Sequence, residues 1–79
     1  LHYALGVVFV GAVVKIREVG SDDEELVRLV GEATGAAADY FEATLNSPFG
    51  EALLKARVGE TVAVRGPRGL KQFEILEII

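Results

Sequence analysis

Between positions 5 and 19 the apolar residues run almost unbroken and are mostly β-branched. From Ala12 onward they alternate, with Ala12, Val14 and Ile16 opposite Val13, Lys15 and Arg17. A period of two predicts a strand with one face on a core. Gly20, Ser21, Asp22 and Asp23 then form a polar turn cluster, and positions 26–30 resume as a second β-type run. The two runs are expected to pair as a hairpin with an acidic, exposed joint. Positions 31–39 read as an irregular connection with room for one helical turn, because three consecutive alanines favour helix while Gly31 and Gly35 interrupt it. Positions 40–45 form a short β-prone run that stops at Asn46, Ser47 and Pro48.

That stop is the most informative point in the chain. A serine hydroxyl can accept a hydrogen bond from an orphan N–H of a first helical turn, and proline at the first helical position gives up no needed donor. A helix is therefore predicted to begin at Pro48. Phe49, Ala52, Leu53 and Ala56 have the spacing of one apolar face, and Glu51 and Lys55 stand four apart on another face, where they can pair. Gly59 ends the helix or turns the chain soon after it. Positions 61–65 alternate again, with Val62 and Val64 inward. Gly66, Pro67, Arg68 and Gly69 suit a tight hairpin, Gly69 being free to take a left-handed conformation, so the last strand returns antiparallel. In that strand Phe73 and Ile75 share one face, while Leu76 and Ile78 share the other. A β-bulge near Ile75 and Leu76 would bring both pairs to the core.

The pattern amounts to an α+β domain, a small twisted antiparallel sheet of four to five strands with one short helix packed on it. Seventy-nine residues leave room for one core, so positions 1–79 are read as a single domain. An apolar fraction of 51% argues against disorder. No apolar run reaches the roughly 20 residues of a membrane-spanning helix, since Lys15, Arg17 and Glu18 close the longest one, and no membrane association is expected. The chain starts at Leu1 without a basic leader and reads as a piece of a longer protein.

Charge and chemistry narrow the function classes. Zero cysteines remove disulfides, thiolate catalysis and thiolate zinc sites, and fit a reducing, cytoplasmic location. A net charge of −4 with scattered Lys and Arg counts against direct nucleic-acid binding. Asp22, Asp23, Glu24 and Glu25 lack the alternation and glycine of a calcium loop and read as a solvated turn. His2 is the only histidine and has no nucleophile or cysteine partner in the pattern. Neither catalytic residues nor a cofactor or metal site is expected, and the chain reads as a protein-docking module rather than an enzyme. Arg65 and Arg68 flank the predicted hairpin tip as ordinary exposed charges, available to an acidic partner.

Several stretches together resemble the C-terminal, FKBP-like domain of the GreA/GreB transcript-cleavage factors. Val8, Phe9, Val10, Gly11, Ala12, Val13 and Val14 are similar to that family's Val-x-Phe-Gly-Ser-x-Val strand. The segment from Asn46 through Ser47, Pro48, Phe49, Gly50, Glu51 and Ala52 to Leu54 resembles its Asp-Ser-Pro-Leu-Gly-Arg-Ala-Leu-Leu, and positions 58–64 its Val-Gly-Asp-x-Val-x-Val. Positions 66–78 resemble its Thr-Pro-Gly-Gly hairpin and Tyr-Glu-Val-Leu-Glu-Ile strand. The resemblance implies a bacterial transcription elongation factor domain that docks on RNA polymerase at the rim of the secondary channel. Its docking loop falls on Asn46, Ser47 and Pro48, with Phe49 following. Tyr40 is added as the partner-facing aromatic, one of Tyr40 and Phe41 being expected to lie exposed. The family's catalytic carboxylates lie on an N-terminal coiled coil that these residues do not include. The chain departs from the family at Asn46 for Asp, Glu51 for Arg, and Lys55-Ala56 for Gly-Lys. Those departures keep a non-cleaving Gre paralogue or an Rnk-like regulator as alternatives, and the FKBP-like architecture adds a peptide-binding or prolyl-isomerase reading.

Overall fold

The computed structural model describes residues 6–35 and 40–79. Five strands, β1 (Val13–Glu18), β2 (Glu24–Val30), β3 (Phe41–Thr44), β4 (Thr61–Gly66) and β5 (Gly69–Ile78), and one helix, α1 (Pro48–Leu53), follow each other in the order β1, β2, β3, α1, β4, β5. They form one sheet with spatial order β3-β2-β1-β5-β4. Alternation places Val14 and Ile16 of β1, Val27 and Leu29 of β2, and Phe73 and Ile75 of β5 in the core, and α1 adds Leu53. Among the described residues no polar side chain is buried, so hydrophobic burial supports the fold without an internal polar network.

β1 and β2 pair antiparallel, as do β1 with β5 and β4 with β5, but β2 and β3 run parallel, with Val27 opposite Phe41 and Val30 opposite Thr44. The sheet is therefore mixed rather than antiparallel throughout. The connection at residues 31–40 separates the two strands, and a parallel pair requires the chain to return to the end from which β2 started before β3 begins. Part of that connection, 36–39, and with it the alanine run in which a helical turn was allowed for, lies outside the described residues.

The first apolar run does not form one long strand. Residues 1–5 lie outside the described part, and 6–12 cross the molecule as a strap interrupted by left-handed Gly6 and Gly11. Val8, 1% exposed, is pinned there by donating to the Ala56 carbonyl and accepting from Lys55 N–H. The expected bulge is present. Lys15 faces Glu77 and Ile16 faces Ile75, which leaves Leu76 as the extra residue on β5. It brings Ile78 to the core beside Phe73 and Ile75, while Leu76 is half-buried and outside the core cluster.

At the β4–β5 hairpin Gly66 pairs with Gly69, and Gly69 takes the expected positive φ of 112°. α1 ends earlier than the apolar spacing suggested. Leu54 is extended and Lys55 has φ 69°, so Lys55 is not one helical turn beyond Glu51 and the expected pair does not follow. The left-handed region costs a side-chain-bearing residue about 1 kcal/mol. Replacing Lys55 with glycine should therefore stabilise the chain by roughly 1 kcal/mol, read as a rise in the urea midpoint at unchanged m-value.

Candidate functional site

The corner between β3 and α1 is held by one carbonyl and one hydroxyl. The Thr44 carbonyl accepts from Ser47 N–H at 3.0 Å and from the Ser47 hydroxyl at 2.7 Å. Ser47 is extended, with φ −88° and ψ 158°, and its Oγ in turn accepts from Gly50 N–H at 3.0 Å. This is the predicted N-cap, with Pro48 at the start of the helix. Thr44 Oγ1 donates to Asn46 Oδ1 at 2.9 Å and orients that side chain. Gly50 lies against Thr44 so closely that a Cβ there would overlap the Thr44 carbonyl. Ser47 is half-buried by this lock, whereas Asn46 and Pro48 project into solvent.

Phe49 is half-buried and packs on the core, its ring tilted 44° to that of Phe73 at a centroid distance of 5.0 Å. It bridges two grooves. One is lined by Val27, Phe41, Ala43, Thr44 and Ser47, with Glu25 and Glu42 at its edges. The other runs towards the β4–β5 hairpin.

Of the two aromatics at the start of β3, the structure brings Phe41 rather than Tyr40 to this corner. Phe41 is 64% exposed and lines the groove beside Ser47. Tyr40 is half-buried against β2. Its hydroxyl accepts from Arg28 Nη1 at 3.2 Å, and the guanidinium lies 5.9 Å from the ring centroid. Adjacent strand residues face opposite ways, and which of the pair is anchored is decided by Arg28 on the neighbouring strand.

The roles of three further residues were not predicted from the sequence: Gly50 and Thr44 at the corner, and Glu42 on β3. A glycine two residues after the Ser-Pro step was the available signal for the first. The Glu42 carboxylate accepts from Thr34 Oγ1 at 2.6 Å and from the N–H groups of Thr34 and Gly35 at 2.8 and 3.0 Å. The Thr34 hydroxyl bond, followed by the two backbone donors, holds this carboxyl below the usual glutamate range. A carboxyl lowered in the folded chain contributes stability above its unfolded value, about 4.3, and loses it as pH falls through the folded value. The Thr34 and Gly35 amide resonances should accordingly titrate with a midpoint below about 4.3. Glu42→Gln should abolish that titration; amides that titrate at or above the ordinary value would refute the assignment.

Among the described residues no group of three His, Cys, Asp or Glu side chains is placed to hold a metal ion, and no helix is long and apolar enough to cross a membrane. The corner offers shape, exposed amide and pyrrolidine groups and an aromatic wall, which is the equipment of a contact surface.

Comparison with known proteins matches residues 3–79 to the family described as transcription elongation factor, GreA/GreB, C-term. The chain is 37% identical over 71 residues to transcription elongation factor GreA of Streptococcus pneumoniae, covering 90% of this chain and 44% of the relative. It is 38% identical over 76 residues to GreA of Clostridioides difficile, covering 94% and 46%. The crystal structure of GreA factor homolog 1 (Gfh1) of Thermus thermophilus superposes with a TM-score of 0.77 at 29% identity, over 100% of this chain and 53% of that one. The chain thus spans less than half the length of the GreA relatives it matches.

Proposed function

The chain belongs to the GreA/GreB family of transcription elongation factors as its C-terminal domain, and on that premise we propose that it binds RNA polymerase at the rim of the secondary channel through the corner formed by Asn46, Ser47, Pro48 and Phe49. The observation that carries this reading is the contrast within the corner. Ser47 is locked from three sides while its neighbours Asn46 and Pro48 are exposed. A contact loop whose backbone is already fixed loses little conformational entropy on binding, so its few exposed groups are used efficiently. Phe41, rather than Tyr40, extends the surface as its exposed aromatic. The proposed role is docking without chemistry.

Binding of the chain to purified RNA polymerase, with Asn46→Ala and Pro48→Ala combined, is the test. Both residues are exposed, so the thermal midpoint should fall by only a few degrees, through loss of the helix-starting proline and the Thr44–Asn46 bond, while affinity should fall about tenfold or more if they sit at the centre of the contact. Ser47→Ala should weaken binding together with a loss of about 1 kcal/mol of stability, because the cap goes with it. Absence of polymerase binding by the parent chain, or full binding by the double variant, would sink the reading. Restoring the family's acid with Asn46→Asp reports whether charge at this position tunes affinity.

A further inference from the structure

We propose that the second groove, between Phe49 and the β4–β5 hairpin, receives an acidic protein segment through one apolar anchor side chain. Its floor is Val64, Phe73 and the flank of Phe49, Pro67 forms one wall, and Arg68 and Lys71 stand at the rim. Val64 and Lys71 face each other directly across the ladder, and Phe73 follows Lys71 on the same side of β5, so the cation stands beside the apolar floor. The groove measures about 330 Å³, near the lower end for sites that hold small ligands and sufficient for a single side chain.

The charge pattern identifies the occupant. Between Glu60 and Glu74 the chain carries Arg65, Arg68 and Lys71 and no acid, although the protein as a whole has a net charge of −4. Cations elsewhere in the sheet are engaged. Lys15 pairs with Glu24 and Glu77 at 3.9 and 3.6 Å, Arg17 pairs with Glu74 at 2.8 Å, and Arg28 bonds the Gly11 carbonyl and Tyr40. Arg68 and Lys71 have no ion pair among the described residues. An apolar floor with two such cations at its rim complements a leucine or phenylalanine flanked by carboxylates. Nucleic acid is the weaker candidate, since two rim cations neutralise few phosphates. The inference does not depend on polymerase docking through the Asn46 corner, because it invokes other residues and a peptide probe.

The experiment titrates the 15N-labelled chain with the blocked peptide Asp-Asp-Leu-Asp-Asp. Controls are the same peptide with central alanine, the same peptide with lysines for aspartates, and a thymidine oligonucleotide. The acidic leucine peptide should give saturable shifts confined to Phe49 and residues 64–73, half-complete below about 1 mM. Binding should weaken about tenfold with Arg68→Glu plus Lys71→Glu, and on raising salt. The alanine and lysine peptides should leave those amides in place. Absence of shifts, shifts elsewhere, equal binding of the alanine peptide, or displacement of the peptide by the oligonucleotide would each overturn the proposal. Polymerase affinity does not enter this readout, so either claim can fail without the other.

Discussion

Gly50→Ala is expected to lower the melting temperature by roughly 15 °C, corresponding to about 3 kcal/mol in a chain of this size. Helix propensity alone predicts the opposite sign, since alanine in place of a helical glycine gains about 1 kcal/mol. The contact decides the outcome. A Cβ on Gly50 would overlap the Thr44 carbonyl, a backbone atom that already accepts from Ser47 N–H and the Ser47 hydroxyl. Relief requires α1 to lift from the end of β3, which breaks the cap and withdraws Leu53 from the core at the same time. Circular dichroism melts of the two proteins suffice. A variant that melts within about 2 °C of the parent would show that the helix rests less closely on β3 than described. If the proposed docking role holds, the same substitution also displaces Asn46 and Pro48.

Leu53→Ala should cost about 3 to 4 kcal/mol, measured by urea unfolding at constant m-value. Leu53 is 0% exposed and is the one residue of α1 with a fully buried side chain, the helix contributing otherwise the half-buried Phe49 and Ala52. A six-residue helix has no independent stability, so its place depends on this anchor and on the Ser47 cap. The adjacent Leu54 is the control. It is 36% exposed, and its truncation should cost far less, about 1 kcal/mol or below. Equal losses at the two positions would mean that α1 is held by something other than the apolar face assigned to it. Against a total stability of about 5 to 10 kcal/mol for a small domain, the Leu53 loss is large enough to populate the unfolded state on mild heating.

Local signals were read correctly where the cause was local. The Ser47-Pro48 step contains its own capping oxygen and its own missing N–H, and the helix begins at Pro48. The two-residue alternation of 12–17 and 61–65 selected the buried faces, and the conflict between the Phe73/Ile75 and Leu76/Ile78 faces announced a bulge near Ile75 and Leu76, although Leu76 itself stays outside the core it was expected to join. Errors arose where a second segment held the deciding atom. Apolar character at 6–12 said strand, but Gly6 and Gly11 turn the backbone left-handed, and backbone N–H and carbonyl groups of the 55–58 segment and of β2 make its hydrogen bonds. The i,i+4 spacing of Glu51 and Lys55 presupposed a helix that stops at Leu53. One of Tyr40 and Phe41 was expected to lie exposed; Phe41 is the exposed one, and Arg28, twelve residues earlier, holds Tyr40.

What the chain determined by itself was the kind and order of its elements, the cap at Ser47, the acidic β1–β2 joint and the run of three cations with no acid in 61–73, because each depends on residues a few positions apart. The tertiary structure alone decided the parallel pairing of β2 with β3, the overlap that reserves position 50 for glycine, and the two grooves on either side of Phe49. These are meetings of backbone and side chains from distant segments. The free energy of such contacts depends on the distances at which the whole sheet holds them, and no periodicity along the chain records those distances.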